Sequence, residues 1–347
     1  MNDSATIWWD EGHTSIHYIE QTLLPTEYSI VECRSIERLA TAIRRLEIRG
    51  APALGVAGAF GVALAAVLSK KTDMRSFMSA VNRAADILRS TRPTAINLAW
   101  GIDRVLASMA HAEDCDEACS RAIAEAQEIA RNDTVCCHAI GMYGSALLPD
   151  RCTVLTHCNA GALACSSWGT ALGVIRSAVH AGKQVQVLSC ETRPLMQGAR
   201  LTAWELARDG IDVTTITDST AAHLMRKGEI DAVVVGADRI TRDAVFNKIG
   251  TYMHAVCAHH HKIPFYVAAP LSTFDAHNTE QDVIIEERGR DEVTTMGGRT
   301  FVPEEARVRN YAFDATPMEL VTAVITETGV LHPPINIHKL LSHRNTT

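Results

Sequence analysis

The strongest constraint on the fold is an alternation of short, β-branched apolar runs with helical patterns after residue 150. Strands are predicted at 152–156, 184–189, 212–217, 231–235 and 264–269. Helices are predicted between them, at 170–180, 195–208, 220–226 and 248–261. This alternation is typical of a doubly wound α/β domain, in which the helices cover a parallel sheet.

The first 130 residues differ in character and are predicted to be mostly helical. After Ser35, apolar residues recur at helical spacing, namely Ile36, Leu39, Ala40, Ile43 and Leu46. Pro52 stands where a helix can begin. The stretch from Gly50 to Leu68 is uncharged and rich in alanine and glycine. Because small residues let backbones approach closely, we expect a buried helix there and not a membrane span.

Composition narrows the classes of partner. Apolar residues make up 47% of the chain and charged residues 21%, a balance that excludes a disordered chain. The net charge of −7 offers no basic surface for nucleic acid or for an anionic membrane, so an anionic ligand must be held by local cations. The sequence begins MNDSATIWWDEG, without a secretion signal, and we expect a cytoplasmic protein whose 10 cysteines are reduced.

Motifs for metals and nucleotides are missing from the sequence. The cysteine pairs 115/119 and 136/137 lack zinc-finger spacing, and the histidines at 259–261 fan out around a predicted helix. There is no Walker A loop, and no G-x-G-x-x-G follows a predicted strand. We therefore predict no metal site and no nucleotide-binding site.

Reactive side chains follow the predicted strands, at the edge where parallel sheets bind ligands. Cys158 stands between His157 and Asn159 after the first strand, and Asp238 ends the apolar run 233–237. A carboxyl group at such a position suits proton transfer near neutral pH. The alternatives are that Cys158 is a small buried apolar residue and that Asp238 caps a helix or pairs with Arg239. A catalytic pair of His157 with Cys158 is disfavoured, because neighbours in an extended chain point to opposite faces.

Cations beside turns or helix starts are candidates for holding a phosphate group, which binds exposed amides together with Arg or Lys. The cation segments are Arg49-Gly50-Ala51, Arg92 and Asn247-Lys248. Gln197 and Arg200 share one face of a predicted helix and are further candidates. Taken singly, each cation is more often an ordinary surface charge.

A series of specific motifs runs through nearly the whole chain. They are RGAPALG (49–55), RPTAINLAWG (92–101), LTHCNAGALA (155–164), ETRPLMQGARLTAWEL (191–206), ITDSTAAHLM (216–225), GADRI (236–240), NKIGTY (247–252) and AFDATPMELV (312–321). In this order they resemble the methylthioribose-1-phosphate isomerase family. The wider family includes regulatory subunits of eukaryotic translation initiation factor 2B and ribose-1,5-bisphosphate isomerases.

The resemblance implies a mostly helical N-terminal domain, residues 1–130, a Rossmann-like catalytic domain, residues 131–347, and a homodimer. The implied reaction is the aldose–ketose isomerisation of 5-methylthioribose 1-phosphate to 5-methylthioribulose 1-phosphate in methionine salvage, without a cofactor. Carried over by motif, Cys158 and Asp238 are catalytic. The residues that hold the substrate are Arg49, Gly50, Ala51, Arg92, Gln197, Asn247 and Lys248.

Two alternatives stay open. The segment 241–246 is one residue shorter than in the isomerase pattern and lacks its Asn-Gly turn, so a related pentose such as 5-deoxyribose 1-phosphate or ribose 1,5-bisphosphate is the first alternative. The second is a non-catalytic regulatory protein like the initiation-factor subunits. The presence of both Cys158 and Asp238 favours an enzyme.

Overall fold

The computed structural model describes residues 5–12, 14–69 and 73–342. Its strands are β1 (Ile7–Asp10), β2 (Ser15–Ile19), β3 (Ile30–Cys33), β4 (Arg151–Thr156), β5 (Gln184–Cys190), β6 (Val213–Ile216), β7 (Ala232–Val235), β8 (Arg239–Ile240), β9 (Ala244–Lys248), β10 (Phe265–Ala268), β11 (Thr295–Met296), β12 (Arg299–Thr300), β13 (Phe313–Pro317), β14 (Ala323–Thr326) and β15 (Gly329–Leu331). Its α-helices are α1 (Ile36–Arg44), α2 (Ala51–Leu68), α3 (Met74–Arg89), α4 (Ile96–Met109), α5 (Cys115–Ser145), α6 (Ala171–His180), α7 (Ala203–Arg208), α8 (Thr220–Lys227), α9 (Thr251–His261), α10 (Asp291–Thr294) and α11 (Ile337–Ser342).

The chain forms two compact units, which are Met1–His138 with Ala160–Gly173, and Ala139–Asn159 with Val174–Thr347. The division predicted from the sequence, 1–130 and 131–347, stays a prediction about how the chain is organised. The first unit contains an antiparallel sheet of β1, β2 and β3, which was not predicted from the sequence.

Helix α1 begins where the sequence pattern predicts it. The Ser35 side chain accepts a hydrogen bond from the Arg38 amide, which caps the helix, and the predicted apolar positions from Ile36 to Ile43 are buried. Leu46, the last apolar residue of the predicted pattern, lies beyond the end of α1, in the left-handed region with φ 62°.

Helix α2 is the buried helix expected from the small-residue stretch. It is long and apolar enough to cross a bilayer, but 78% of it is buried inside the protein, as in a core helix. Glycine residues allow α2 and α4 to approach closely, since a Cβ on Gly101 of α4 would lie 2.0 Å from the carbonyl oxygen of Gly55 on α2. The backbones of α2 and α4 are therefore in direct contact.

The second unit is built on a seven-stranded sheet in the order β15-β14-β10-β7-β4-β5-β6. All neighbouring strands from β14 to β6 are parallel, and β15 pairs antiparallel with β14. The strands β4, β5, β6, β7 and β10 coincide with the predicted ones to within two residues at each end. Strand β7 is buried at every position, as expected for a central strand covered on both faces. The protein is thus a mixed α/β protein with a large, mainly parallel sheet.

Two predicted helices begin later than expected. The helix predicted at 195–208 starts with a π-helical turn, Gly198–Thr202, that leads into α7. The helix predicted at 248–261 starts at Thr251, because residues 244–248 form β9, which pairs with β8 and β13. Strand pairing with a segment more than 60 residues downstream overrides the local helical pattern.

Candidate active site

The order of the parallel strands reverses between β4 and β7, which are hydrogen-bonded neighbours. Each of these strands leads directly into one of the two candidate catalytic residues. Cys158 follows the end of β4 at Thr156, and Asp238 follows the end of β7 at Val235. Crevices at the carboxyl ends of strands, where the strand order reverses, are the usual ligand sites of open α/β sheets.

The Cys158 backbone is held in a conformation that non-glycine residues rarely adopt. Its φ is 64°, in the left-handed region, and that of Thr192 is also 64°. The Cys158 amide donates to the Thr192 hydroxyl at 2.8 Å, and the Thr202 hydroxyl donates to the Cys158 carbonyl at 2.6 Å. Such strain persists only where surrounding contacts impose it, and it is concentrated at functional sites.

A buried polar network fixes the residue after Cys158. The Asn159 amide group donates to Glu205 at 2.8 Å, and Arg176 bonds to both Glu205 at 2.8 Å and Asp209 at 2.7 Å. Burial of this Arg–carboxylate cluster is compensated by its own ion pairs. Sequence reasoning assigned no role to Thr192, Thr202, Glu205 or Arg176, because nothing in their local pattern separates them from ordinary polar residues.

A hairpin brings Asp238 beside the predicted phosphate ligands of β9. The Asp238 amide donates to the Phe246 carbonyl at 2.9 Å, which extends the antiparallel pairing of β8 with β9. The turn of this hairpin is closed by the Thr241 hydroxyl, which bonds to Asp243 at 2.9 Å. The short segment 241–246 is therefore a tight hairpin, and Asn247 and Lys248 continue its second strand.

Lys248 carries a buried positive charge at this edge. Its side chain is 4% exposed, and its ammonium group lies 5.0 Å from the centre of the Phe313 ring. Burial lowers the pKa of Lys248 and the Arg288 charge lowers it further, whereas Cys158, Asp238 and Glu292 act to raise it. The ammonium group is thus electrostatically coupled to both candidate catalytic side chains. A buried cation without a tight ion pair to any described residue suits an anionic ligand.

Gln197 presents a polar atom without a protein partner. Its side chain is 6% exposed, and among the described residues its Oε1 has no hydrogen-bond partner. Gln197 directly precedes the π-helical turn, where Gly198 packs so tightly that a Cβ would lie 1.7 Å from the Cys190 carbonyl oxygen. A buried amide oxygen left unpaired is expected to find its partner in a ligand or a water molecule.

The remaining predicted substrate ligands lie in the first unit. Gly50 is the N-cap of α2, with φ 93°, and Ala51 is the first residue of the helix. Arg49 precedes this cap, and Arg92 lies in the turn before α4; both are half-buried. The free amides of a helix N-terminus, with an arginine beside them, form a common phosphate-binding arrangement.

His157 points into a cluster of its own. Its Nε2 lies 2.8 Å from the Ile249 carbonyl, and its Nδ1 lies 3.1 Å from Nε2 of His254. Burial lowers the pKa of His157 to about 4 and that of His254 to about 3, so both rings are neutral near pH 7.

Comparisons with known proteins identify the family of the chain. The profile of the Initiation factor 2 subunit family matches residues 47–333. A protein from Methanosarcina acetivorans, named putative methylthioribose-1-phosphate isomerase, is 53% identical over 97% of both chains. A protein from Pelotomaculum thermopropionicum, named methylthioribose-1-phosphate isomerase, is 47% identical over 98% of this chain and 95% of its own.

Solved structures carry two kinds of description. The crystal structure of 5-methylthioribose 1-phosphate isomerase from Pyrococcus horikoshii is 41% identical, with a TM-score of 0.91, and covers 99% of this chain and 96% of its own. A structure from A. fulgidus described as translation initiation factor eIF-2B, subunit delta, is 52% identical, with a TM-score of 0.88, over 97% of this chain and 99% of its own. The resemblance seen in the sequence motifs is confirmed, and the chain belongs to the Initiation factor 2 subunit family.

Proposed function

We propose that this chain is an aldose–ketose isomerase that converts 5-methylthioribose 1-phosphate into 5-methylthioribulose 1-phosphate. Relatives about half identical over nearly their whole length bear the name of this enzyme. The observation that carries the proposal is the position of Cys158 and Asp238 after the neighbouring strands β4 and β7, both coupled to the buried ammonium group of Lys248.

The roles proposed for the side chains are those that the family resemblance implies. Cys158 and Asp238 are the catalytic pair. Arg49, Gly50, Ala51 and Arg92 offer a helix N-terminus and two guanidinium groups to the phosphate, and Lys248 adds a buried charge. Gln197 and Asn247 hold the sugar hydroxyls, for which the unpaired Oε1 of Gln197 is suited.

The phosphate on C1 prevents the furanose from opening to a free aldehyde. Asp238 therefore donates a proton to the ring oxygen as the bond from C1 to that oxygen breaks, which leaves C1 electron-deficient. The hydrogen on C2 is transferred to C1, and the Asp238 carboxylate accepts the proton of the 2-hydroxyl group as C2 becomes a carbonyl. Asp238 ends protonated, as it began. Because the sugar is both oxidised at C2 and reduced at C1, the reaction needs no redox cofactor.

Two routes for the hydrogen remain to be separated. In a hydride shift the C2–H electron pair moves directly to C1, and Cys158 stabilises the charge. In the enolate route Cys158 removes the C2 proton, a C1–C2 double bond forms, and the proton returns to C1. Turnover in deuterated water separates them: deuterium at C1 excludes a pure hydride shift, whereas fully unlabelled product supports the hydride shift over an enolate whose Cys158 proton exchanges with water.

The proposed function is tested with a panel of ribose 1-phosphates that differ at C5, assayed for ketose formation. We expect the 5-methylthio compound to be converted with the highest kcat/KM. A folded protein that converts none of these sugars would instead support the regulatory alternative. The A. fulgidus structure described as an eIF-2B subunit is consistent with that alternative.

Variants test the catalytic pair. Cys158→Ser and Asp238→Asn are expected to lower kcat by a factor of about 10²–10⁴, the usual contribution of a positioned acid or base. Cys257→Ser is the matched control, because Cys257 is a half-buried thiol on α9. Full activity in a folded Cys158→Ser or Asp238→Asn variant would refute the assigned roles.

The type of each domain, the oligomeric state, the cellular location and the pathway are also proposed. Numbered along the chain, the six parallel strands have the order 3-2-1-4-5-6, which supports a Rossmann-like C-terminal domain. A mostly helical N-terminal domain is the other part of this proposal. Exposed apolar residues on α9, namely Tyr252, Met253 and Val256, support a homodimer, which light scattering would test. We place the enzyme in the cytoplasm, in methionine salvage.

A further inference from the structure

Four potential metal ligands meet at the carboxyl edge of the seven-stranded sheet. His157 directly follows β4, Cys190 is the last residue of β5, and Asp218 lies two residues beyond β6. His254 joins them from the first turn of α9. Because β4, β5 and β6 are neighbours in the sheet, their ends supply one side of the cluster and α9 supplies the other.

Three distances within the cluster lie close to the edges of a tetrahedral metal site. His157 Nδ1 lies 3.1 Å from His254 Nε2, which lies 3.5 Å from Cys190 Sγ, and the distance from His157 Nδ1 to Asp218 Oδ1 is 3.8 Å. All four ligand atoms lie within 4.8 Å of one another. Bond lengths of about 2.0–2.3 Å to zinc give edges of about 3.3–3.8 Å in a tetrahedron.

Hydrogen bonds from outside the cluster hold two of its four ligands, His157 and Asp218. The Ile249 carbonyl can only accept, so His157 donates to it through Nε2 at 2.8 Å, which leaves the lone pair of Nδ1 facing the cluster. The amides of Thr192 and Arg193 donate to the two oxygens of Asp218, each at 2.8 Å. Histidines bonded to a backbone carbonyl and carboxylates held by further hydrogen bonds are the usual surroundings of metal ligands.

We propose that His157, Cys190, Asp218 and His254 bind a zinc ion. One thiolate and one carboxylate neutralise the two positive charges of Zn²⁺, so the occupied cluster carries no net charge in its buried position. Two imidazoles, a thiolate and a carboxylate suit zinc better than calcium or magnesium, which prefer oxygen ligands.

The zinc is structural, because protein side chains fill all four of its positions. It ties the ends of three strands to α9 and fixes the residue before Cys158. This proposal differs from the prediction of no metal site, since the four ligands come from separate elements and form no spacing motif. It does not depend on the proposed isomerase activity.

The wild-type protein supplies the first test. It is expressed with zinc, purified without chelators and examined by elemental analysis and by X-ray absorption at the zinc edge. We expect about one zinc per chain, with one sulfur ligand at about 2.3 Å and nitrogen or oxygen ligands at about 2.0–2.1 Å. A zinc content far below one per chain, or a zinc without a sulfur ligand, would overturn the proposal whatever the enzyme's activity.

Variants assign the site. Cys190→Ser and His254→Leu are expected to lose most of the zinc, and cobalt-loaded Cys190→Ser to lose the thiolate-to-cobalt charge-transfer band. Cys257→Ser, also on α9, is expected to retain both. His259→Ala tests the exposed histidines at the end of α9 and is likewise expected to retain zinc. Zinc that is lost in His259→Ala and kept in His254→Leu would place the ion on the surface and refute the site.

Discussion

Replacing Gly198 with alanine tests how tightly the π-helical turn must pack on β5. The added Cβ would lie 1.7 Å from the Cys190 carbonyl oxygen, a backbone atom that cannot rotate away. Restoring ordinary contact at 3.4 Å requires the turn and the strand end to separate by about 1.7 Å. Overpacking of this kind lowers the free energy of unfolding by about 3 kcal/mol, and the better helix propensity of alanine offsets about 1 kcal/mol of this loss. We therefore expect Gly198→Ala to be less stable than the native protein by about 2 kcal/mol.

The same displacement reaches the site through Thr192. This residue follows the strand end that must move, its hydroxyl would lie 2.9 Å from the new Cβ, and it accepts the Cys158 amide at 2.8 Å. A misplacement of about 1 Å costs about a hundredfold in rate, so we expect Gly198→Ala to lower kcat by about that factor.

The assay is urea unfolding together with steady-state kinetics. Gly289→Ala is the matched control, because Gly289 lies in the same unit and a Cβ added to it would meet no described atom within 4 Å. We expect Gly289→Ala to stay within about 0.5 kcal/mol of the native protein, with unchanged kcat. If Gly198→Ala matched this control in both stability and kcat, close packing of the turn on β5 would not be what holds the Cys158 loop in place.

Three further predictions concern polar groups. Thr192→Val removes the acceptor of the Cys158 amide and is expected to lower stability by about 1–3 kcal/mol and to lower kcat. Thr192→Ser keeps the hydroxyl and is expected to retain native stability and kcat, as measured by thermal unfolding and steady-state kinetics. Glu205→Gln breaks a buried ion pair and is expected to cost about 3–5 kcal/mol in urea unfolding, against less than about 1 kcal/mol for Glu229→Gln in an exposed pair. Burial raises the pKa of Asp314 to about 6, above its unfolded value, so its stabilising contribution is full below about pH 4 and is lost as the pH rises through about 6. Thermal unfolding across this range should therefore show a steeper loss with pH in the native protein than in Asp314→Asn; parallel profiles would contradict the assignment.

The local sequence pattern was sufficient to predict the elements that are buried on nearly every side. The parallel strands are short apolar runs bounded by polar turns, and α2 is a run of small apolar residues that is buried on nearly every side. In both cases the residues in the segment determine the element. The positions of Cys158 and Asp238 at strand ends follow from the same pattern, although their catalytic roles stay predictions.

Features that depend on distant partners could not be predicted in this way. Lys248 lies on a strand and not in a helix because β9 pairs with β13, whose residues lie far downstream. Thr192 and Glu205 act on the Cys158 loop only once the sheet has placed them beside it. The His157 cluster likewise draws on four separate elements, and no spacing along the chain announces it.

The glycine contact between α2 and α4 has a mechanical consequence for the proposed phosphate ligands. Arg49 precedes one of these helices and Arg92 the other, and the helices meet backbone to backbone at Gly55 and Gly101, within two turns of both starts. Because neither glycine has a side chain that could deform between the two backbones, we expect the two helix starts to move as one rigid body. Because this freedom is lost when the protein folds, the phosphate that we propose binds beside Arg49 and Arg92 would not have to order the two helix starts again.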